Sequence, residues 1–488
     1  MEIGKNLHGE YKWSDNINEL FNQLYYQSTY KGEHNDEFIL QFYKLVYHKE
    51  VRTNVSNLKK IGNLILYIRD KHNGKGERLI TYKMLNIVAY LYPGVSQRLI
   101  ETIIYKKYGG WNDVIYMWGQ LSWEQPMIDF FIELVNNQLH KDAMEIISGS
   151  GENVSNVAKW IPREKKAYQS LFFLLAENYY CQFLLHDNEK ARRKCYTHYR
   201  QLIVKCNKFL KTLEINLCGN RENIEYYKCS IASLLRNVKT LKKEPKYRKF
   251  MKNRNVVIPI SLELLIKKAL SISTSSATIF EENQINKEWK YILNQIDKLP
   301  YWIPIVDLSE GVQNKYLAIG MALIISQKST FSNRILIYSS QAEWIKVEQD
   351  ESLVSMIKKF NHVPSMYGMN NNLTYALNTL IKSLSDCKFT KEQVEQLNIV
   401  LFSNMIIDGV DCLSGLMSLS MHIKSSFHLF LKSYPSLILW NTNNSSSFPA
   451  FSVEKKIRMI QGWNPLQLNK INQCQNTTDF INKCIENY

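Results

Sequence analysis

The sequence predicts two kinds of structure in succession: an all-helical region over residues 1–295 and an α/β domain over residues 296–488. Apolar residues recur at helical spacing through residues 35–275, and after residue 296 short apolar runs alternate with stretches of helix length. A chain of 488 residues has room for two or three domains, and its 45% hydrophobic content is ordinary for a protein with packed cores.

In the first region, apolar stripes mark one face of each predicted helix. One such stripe consists of Phe38, Phe42, Leu45 and Val46. Glycine-containing strings at residues 73–76, 93–94 and 109–110 indicate turns between helices. We therefore predict stacked helical hairpins, a HEAT-like α-solenoid. The sequence has no clean repeat period, so this is an inference about packing.

The second region contains four apolar runs of strand length, at residues 302–307, 334–338, 398–402 and 437–440. Apolar runs without alternation suit strands that are covered on both faces, which predicts a doubly wound parallel sheet with crossover helices. The functional edge of such a sheet lies at the carboxyl ends of its strands. We expect Asp307, Ser309 and Asn404 at that edge.

The chain is basic, with 61 Lys and Arg against 45 Asp and Glu, a net charge of +16. This surplus favours a polyanionic partner, RNA or another nucleic acid first and an anionic membrane second. Two basic runs with interleaved aromatics occur at residues 190–200 and 236–254. A solvated helix face is the alternative for either run. The candidate RNA-binding residues are Arg192, Arg193, Lys194, Arg200, Lys242, Lys243, Lys246, Tyr247, Arg248 and Lys249, with Tyr247 as a candidate for base stacking.

Signals for catalysis, secretion and membrane insertion are missing from the sequence. It has no HExxH pair, no GxSxG elbow and no GxxxxGKS/T loop, which predicts a protein that is not an enzyme. Nine cysteines without a CxxC pair indicate free thiols in a reducing compartment. No apolar leader or bilayer-length stretch is found, so we expect a cytoplasmic protein without membrane contact.

Several strings resemble a known family. Asp307-Leu-Ser309-Glu-Gly311 resembles the Asp-x-Ser-x-Ser metal loop of von Willebrand A domains. Further matching strings are Gly74-Lys75-Gly76-Glu77-Arg78, Tyr108-Gly-Gly-Trp111, Lys159-Trp160-Ile-Pro162-Arg163 and Gln461-Gly462-Trp463-Asn464-Pro465. Together they resemble a family of plants, fungi and large DNA viruses that couples a helical TROVE-like region to a von Willebrand A-like domain. Its distant relatives include the Ro RNA-binding proteins, which implies RNA binding here.

The metal loop departs from the family pattern at three positions. Gly311 stands where the pattern has Ser, Asn371 where it has Thr, and Asn404 where it has Asp. The degenerate site would then consist of Asp307, Ser309, Asn371 and Asn404, with Asp307 as its main carboxylate. Because neutral oxygens replace charged ligands, Mg²⁺ would bind weakly, and we expect no cofactor. The alternative to a metal role is a scaffold in which Asp307 and Ser309 hydrogen-bond the loop.

These observations predict a non-enzymatic protein that binds RNA or another nucleic acid. The von Willebrand A-like domain would serve as a scaffold and recruit protein partners. The alternative is a structural or assembly component, for example of a large DNA virus, that acts without specific RNA recognition. In that case the protein would be found in the virus factory or the virion.

Overall fold

The computed structural model describes residues 13–29, 35–149, 153–186, 188–219, 221–229, 231–253, 261–273, 279–331, 333–348, 351–361, 372–405, 419–443 and 448–488. The chain forms two compact units. The first combines Met1–Ile68, His72–Glu77 and Asn255–Tyr488, and the second combines Arg69–Lys71 and Arg78–Arg254.

Up to residue 294 the described secondary structure is helical. The helices are α1(Ile17–Tyr26), α2(Asn35–Tyr47), α3(Lys49–Thr53), α4(Val55–Arg69), α5(Leu79–Leu91), α6(Pro93–Tyr105), α7(Trp111–Gln120), α8(Gln125–Ser148), α9(Val157–Trp160), α10(Gln169–Tyr179), α11(Glu189–Leu210), α12(Leu213–Cys218), α13(Ile231–Arg236), α14(Val238–Leu241), α15(Pro245–Asn253), α16(Leu262–Ser273) and α17(Ile279–Asn294). Short 3-10 helices occupy Cys181–His186, Arg221–Asn223 and Tyr226–Lys228.

Local chemistry sets several helix ends. Pro93 opens α6 at a position where its missing N–H costs nothing. Gly149 ends α8 in the left-handed conformation, with a φ of 80°. Asn188 caps α11 by accepting from the N–H of Ala191 at 2.8 Å.

After residue 300, strands and helices alternate. The elements are β1(Trp302–Asp307), α18(Lys315–Lys328), β2(Arg334–Tyr338), β3(Ala342–Lys346), α19(Leu353–Asn361), α20(Leu373–Asp386), α21(Lys391–Gln396), β4(Asn398–Ser403), α22(Leu419–Leu431), β5(Ser436–Asn441), β6(Ile457–Gln461), α23(Gln467–Ile471) and α24(Thr477–Ile485).

The strands of the described chain form one six-stranded sheet in the order β3-β2-β1-β4-β5-β6. The pairs β2–β1, β1–β4, β4–β5 and β5–β6 are parallel, and the edge strand β3 runs antiparallel to β2. This is the order of a doubly wound sheet, in which successive connections diverge to opposite sides at the boundary of β1 and β4.

Helices cover the sheet. Ile303 and Ile305 of β1 share a buried core with Leu377 of α20 and Phe427 of α22. Helix α18 is buried almost all round, because it packs against β1 and also against α16, where Ile266 lies next to Gly320. Helix α1 belongs to the same unit, and its Tyr26 joins the sheet core.

The predicted fold class, α plus α/β, is confirmed, with one correction to the sheet. The sheet is mixed rather than parallel, because β3 returns directly beside β2. The change of pattern near residue 296 precedes β1, which begins at Trp302. The compact units follow another division, since residues 1–68 and 72–77 share a unit with the sheet.

Candidate functional site

The carboxyl end of β1 carries the buried carboxylate of Asp307. The backbone N–H of Ser309 donates to its Oδ1 at 2.9 Å, and the hydroxyl of Ser403, at the end of β4, donates to its Oδ2 at 2.9 Å. Because β1 and β4 flank the point where the connections diverge, this is the edge at which doubly wound sheets bind ligands. Asp307 and Ser309 lie together as predicted, and Ser403 joins them.

Asn404 also lies at this edge, as predicted, and is 8% exposed. Its Oδ1 is 3.4 Å from the hydroxyl oxygen of Ser403. A Cβ built on Gly311 would lie 3.3 Å from the Nδ2 of Asn404, which is closer than ordinary van der Waals contact. Gly311 and Asn404, two of the departures from the metal-loop pattern, are therefore neighbours. The Asn404 amide lies against the space that a side chain at position 311 would occupy.

Asn443, which was not predicted from the sequence, binds the loop that follows β1. Its Nδ2 donates to the carbonyl of Gly311 at 2.8 Å, and its Oδ1 accepts from the N–H of Gln313 at 2.7 Å. The signal available in the sequence was its place two residues after the end of β5, at the carboxyl edge. Both hydrogen bonds hold the backbone that follows β1.

Burial raises the pKa of Asp307, while the hydrogen bonds from Ser309 and Ser403 lower it. Burial lowers the pKa of Lys315 at the start of α18, while the charges of Asp307 and Glu310 raise it. At this edge, hydroxyl and amide groups surround the desolvated carboxylate of Asp307. The ammonium group of Lys315 is close enough to interact with it electrostatically.

This donor set fits Mg²⁺ poorly. The cation favours several charged oxygens in an octahedron, and Asp307 is the one carboxylate among the predicted ligands. In the described parts of the chain, no three His, Cys, Asp or Glu side chains gather in a way that could hold a metal ion. The predicted ligand Asn371 lies outside the described residues. Thr374, three residues after Asn371 in the sequence, lies next to α22: its hydroxyl oxygen is 3.3 Å from Nε2 of His422.

The first basic run lies on α11. Arg192, Arg193, Lys194 and Arg200 are all exposed, and the opposite side of the helix buries Tyr199. Acidic residues lie beside this run: Arg193 pairs with Glu189, and Arg200 lies 3.2 Å from Glu164. Exposed ion pairs of this kind contribute little to stability, so both guanidinium groups stay available to an anionic partner.

The second basic run lies on and before α15. Lys243, Lys246, Arg248 and Lys249 are exposed, and Lys242 is partly buried. Arg254, at the end of this run, lies outside the described residues.

Tyr247 of the second run is fully buried, with its ring centroid 5.6 Å from that of Tyr226. This burial contradicts its predicted role in base stacking. The exposed aromatic residues of this unit include Phe209, on the same helix as the first basic run, and Tyr227.

The net charge of the chain is concentrated around these two runs. Residues 161–254 contain 22 Lys and Arg against 8 Asp and Glu, a net charge of +14, and the whole chain carries +16. The rest of the chain is therefore close to neutral. Positive charge concentrated on these 94 residues creates a local potential. It attracts polyanions more strongly than the same charge spread over the whole chain would.

Comparison with known proteins gives two matches. Residues 304–478 match the model of a domain family of unknown function, DUF7788. The chain is also 20% identical over 443 residues to an uncharacterized protein of Acanthamoeba polyphaga mimivirus. The aligned region covers 83% of this chain and 75% of that protein. The similarity to a viral protein thus extends well beyond the matched domain.

Proposed function

We propose that this protein binds RNA without catalysing a reaction, and that its second unit, Arg69–Lys71 and Arg78–Arg254, supplies the binding surface. The observation that carries the proposal is the net charge of +14 on residues 161–254, to which exposed Lys and Arg side chains of α11 and α15 contribute. Neutralising phosphates releases condensed counterions, which gives basic surfaces most of their affinity for nucleic acids.

In this proposal the α/β domain is a scaffold that holds protein partners. Its resemblance to a von Willebrand A domain supports this role, and the poor donor set at Asp307 argues for a hydrogen-bonded loop rather than a cofactor site. We place the protein in the cytoplasm. The eight cysteines among the described residues are all free, which suits a reducing compartment. In the described part of the chain, none of the helices is long and apolar enough to cross a bilayer.

The test is RNA affinity in a salt series, measured by fluorescence anisotropy with a labelled single strand. The variant reverses four charges of the second run: Lys242→Glu, Lys243→Glu, Arg248→Glu and Lys249→Glu. We expect affinity to fall at least tenfold and the log–log salt slope to shrink by roughly 0.7 for each phosphate that the variant no longer neutralises. The melting temperature should change little, because exposed charges contribute little to stability.

A matched control reverses four exposed lysines of the other unit, Lys49→Glu, Lys358→Glu, Lys382→Glu and Lys391→Glu. It changes the net charge by the same amount, so an equal loss of affinity would mean that total charge matters and the two runs do not.

A second candidate function is that of a structural or assembly component of a virus. The similarity to a mimivirus protein over 83% of the chain favours it. RNA affinity that stays within twofold of wild type after the charge reversals on and before α15 would support this candidate against the first.

A further inference from the structure

A pocket of about 100 Å³ opens in the first unit, at the end of the sheet where β1 and β2 begin. Its lining is mostly apolar and includes the partly exposed rings of Phe331, Trp344 and Phe389. An apolar cavity of about 150 Å³ is enough to hold a benzene molecule. Whole small-molecule ligands occupy pockets of roughly 300–1,000 Å³. The volume of this pocket therefore suits one side chain of a larger molecule, inserted from the solvent side.

The walls of this pocket are fixed by contacts within the first unit. The indole N–H of Trp344 donates to the hydroxyl of Ser383 on α20 at 3.1 Å, and that hydroxyl donates to the carbonyl of Thr379 at 2.9 Å. The ring centroids of Phe331 and Phe389 are 5.7 Å apart. Because the polar groups of Trp344 and Ser383 are bonded to each other, the pocket is formed before any ligand arrives and offers that ligand mainly apolar surface.

Arg334, the first residue of β2, brings a positive charge to this pocket. Since Ile305 pairs with Leu336, Arg334 lies beside Ile303, on the face of the sheet that α20 covers. Its side chain is exposed, and it forms no ion pair or hydrogen bond with any of the described residues. A guanidinium group binds a carboxylate through charge-assisted hydrogen bonds, often two in parallel. An acidic group next to the inserted side chain would therefore find a partner in Arg334.

We propose that this pocket holds an aromatic side chain of a protein partner, with a carboxylate of the same partner segment paired to Arg334. Aromatic pairs are stabilised beyond the area that they bury, which favours a ring at a site lined by three rings. The charge of Arg334 favours an acidic segment over a neutral or basic one. The inference rests on the proposed role of the α/β domain as a scaffold for protein partners, and it deepens that role by naming the surface and the chemistry of the partner segment.

The test uses Cys387, an exposed thiol that lines the pocket. Its rate of alkylation by iodoacetamide is measured by mass spectrometry on the full chain, with the peptide acetyl-Gly-Asp-Phe-Asp-Gly-amide as the probe. One anchoring side chain gives a Kd on the order of 1 mM, so the peptide is added up to about 10 mM. We expect it to slow alkylation of Cys387 at least threefold, because the bound peptide covers the thiol. Cys218, exposed on α12 of the other unit, is the internal control and should react at an unchanged rate.

Two altered peptides separate the ring from the charge. Replacing the Phe of the peptide by Ala should abolish protection at the same concentrations. Replacing both Asp by Asn should raise the concentration for half protection about two- to fivefold, the range for one exposed ion pair. Arg334→Gln should remove the difference between the Asp and Asn peptides. Lys358→Gln is the matched control, since this exposed lysine of α19 does not line the pocket, and it should preserve the difference. Melting curves verify that both variants are folded.

Unchanged alkylation of Cys387 at the highest peptide concentration would overturn the assignment. RNA binding would still stand, because its salt series depends on other residues, in the second unit. Protection by 3-phenylpropionate at a concentration at least tenfold lower than that of the peptide would also overturn it, since the occupant would then be a free small acid. Alkylation of Cys387 that slows as the protein concentration rises, without peptide, would assign the pocket to a second copy of the chain.

Discussion

The ring of Tyr247 is enclosed by its own unit, with Tyr226 packed against it and Met251 buried one turn later on α15. Removing a buried aromatic ring loses its transfer free energy and leaves a cavity. We therefore expect Tyr247→Ala to destabilise this unit by about 3–5 kcal/mol. Denaturant unfolding followed by circular dichroism measures the change.

Tyr227→Ala is the natural comparison, because this ring is 69% exposed. It should change stability by no more than about 0.5 kcal/mol. Equal effects of the two substitutions would contradict the burial of Tyr247. Because Tyr247→Ala is expected to destabilise the unit, a loss of RNA affinity in this variant would not by itself show base stacking. The ring of Phe209 is exposed, so Phe209 is the better residue with which to test stacking.

At the carboxyl edge of the sheet, the donor set around Asp307 predicts no tight divalent-cation site. We expect the melting temperature to be the same, within about one degree, with and without millimolar Mg²⁺ or Mn²⁺. A ligand present at 100 times its Kd would add about 2.7 kcal/mol to the free energy of unfolding, so a filled site would be obvious in the melt. A rise of several degrees that disappears in Asp307→Ala would overturn this expectation.

Among the larger elements, the loop at residues 72–77 is held from two sides within the first unit. Asn464 donates from Nδ2 to the carbonyls of His72 and Gly74, at 2.9 and 3.0 Å. The ammonium group of Lys75 donates to the carbonyl of Tyr25 at the end of α1 and lies 4.3 Å from the centre of its ring. Burial lowers the pKa of Lys75 to about 7.

This lowered pKa gives stability a predictable dependence on pH. Between about pH 7 and 10.5 the unfolded chain holds the Lys75 proton and the folded chain releases it, so folding becomes more favourable as pH rises. The gain is at most about 1.4 kcal/mol per pH unit, and about 2 kcal/mol between pH 7.5 and 9. Lys75→Met should remove this part of the pH dependence in denaturant unfolding. Parallel curves for the two proteins would show that Lys75 stays protonated.

The strands show which elements a sequence pattern can reveal. The four predicted strands match β1, β2, β4 and β5 to within a residue at each end. The edge strand β3 was missed because it is no apolar run: Glu343 and Lys346 are exposed and none of its five residues is fully buried. In β6, Arg458 interrupts the apolar run although it is buried. Its guanidinium donates to the carbonyl of Cys474 and the side chain of Asn398, partners that no local pattern could reveal.

The candidate sites divide in the same way. Asp307, Ser309 and Asn404 could be placed at one edge because parallel strands align their carboxyl ends. The burial of Tyr247 could not be predicted, since an aromatic residue in a basic run looks exposed until the helix packs. Asn443 and Ser403 belong to no motif; their places at or just after strand ends are the signal that the sequence offers, and the sheet order brings them to the loop.

On the scale of the whole molecule, the first unit is assembled from separated parts of the chain. Leu24, Tyr25 and Tyr26 of α1 are fully buried, and Asn22 donates from Nδ2 to the hydroxyls of Ser452 and Thr478, both at 2.9 Å. Large buried side chains are worth about 2–5 kcal/mol each, and a typical domain is stable by about 5–15 kcal/mol.

A fragment of residues 296–488 should therefore fail to fold on its own, although a boundary near 296 is what the sequence pattern predicts. We expect it to be insoluble or to melt without cooperativity, and co-expression of residues 1–77 with residues 255–488 to restore a cooperative transition. Solubility and thermal melts of the purified fragments decide the matter. A stable fragment 296–488 with the melting temperature of the full chain would place the domain boundary at 296 after all.

The separation of α1 from its partners also has a consequence during synthesis. Asn22 and Ser452 are 430 residues apart in sequence. At 5–20 residues per second, a ribosome needs roughly 20 to 90 seconds to travel from one to the other. Throughout that interval α1 and its neighbour α2 have emerged without β6 and α24, which will also pack against α1, while residues 78–254 can already fold. The nascent chain should therefore depend on chaperones at its amino-terminal helix, and slowing translation should increase aggregation of the first unit.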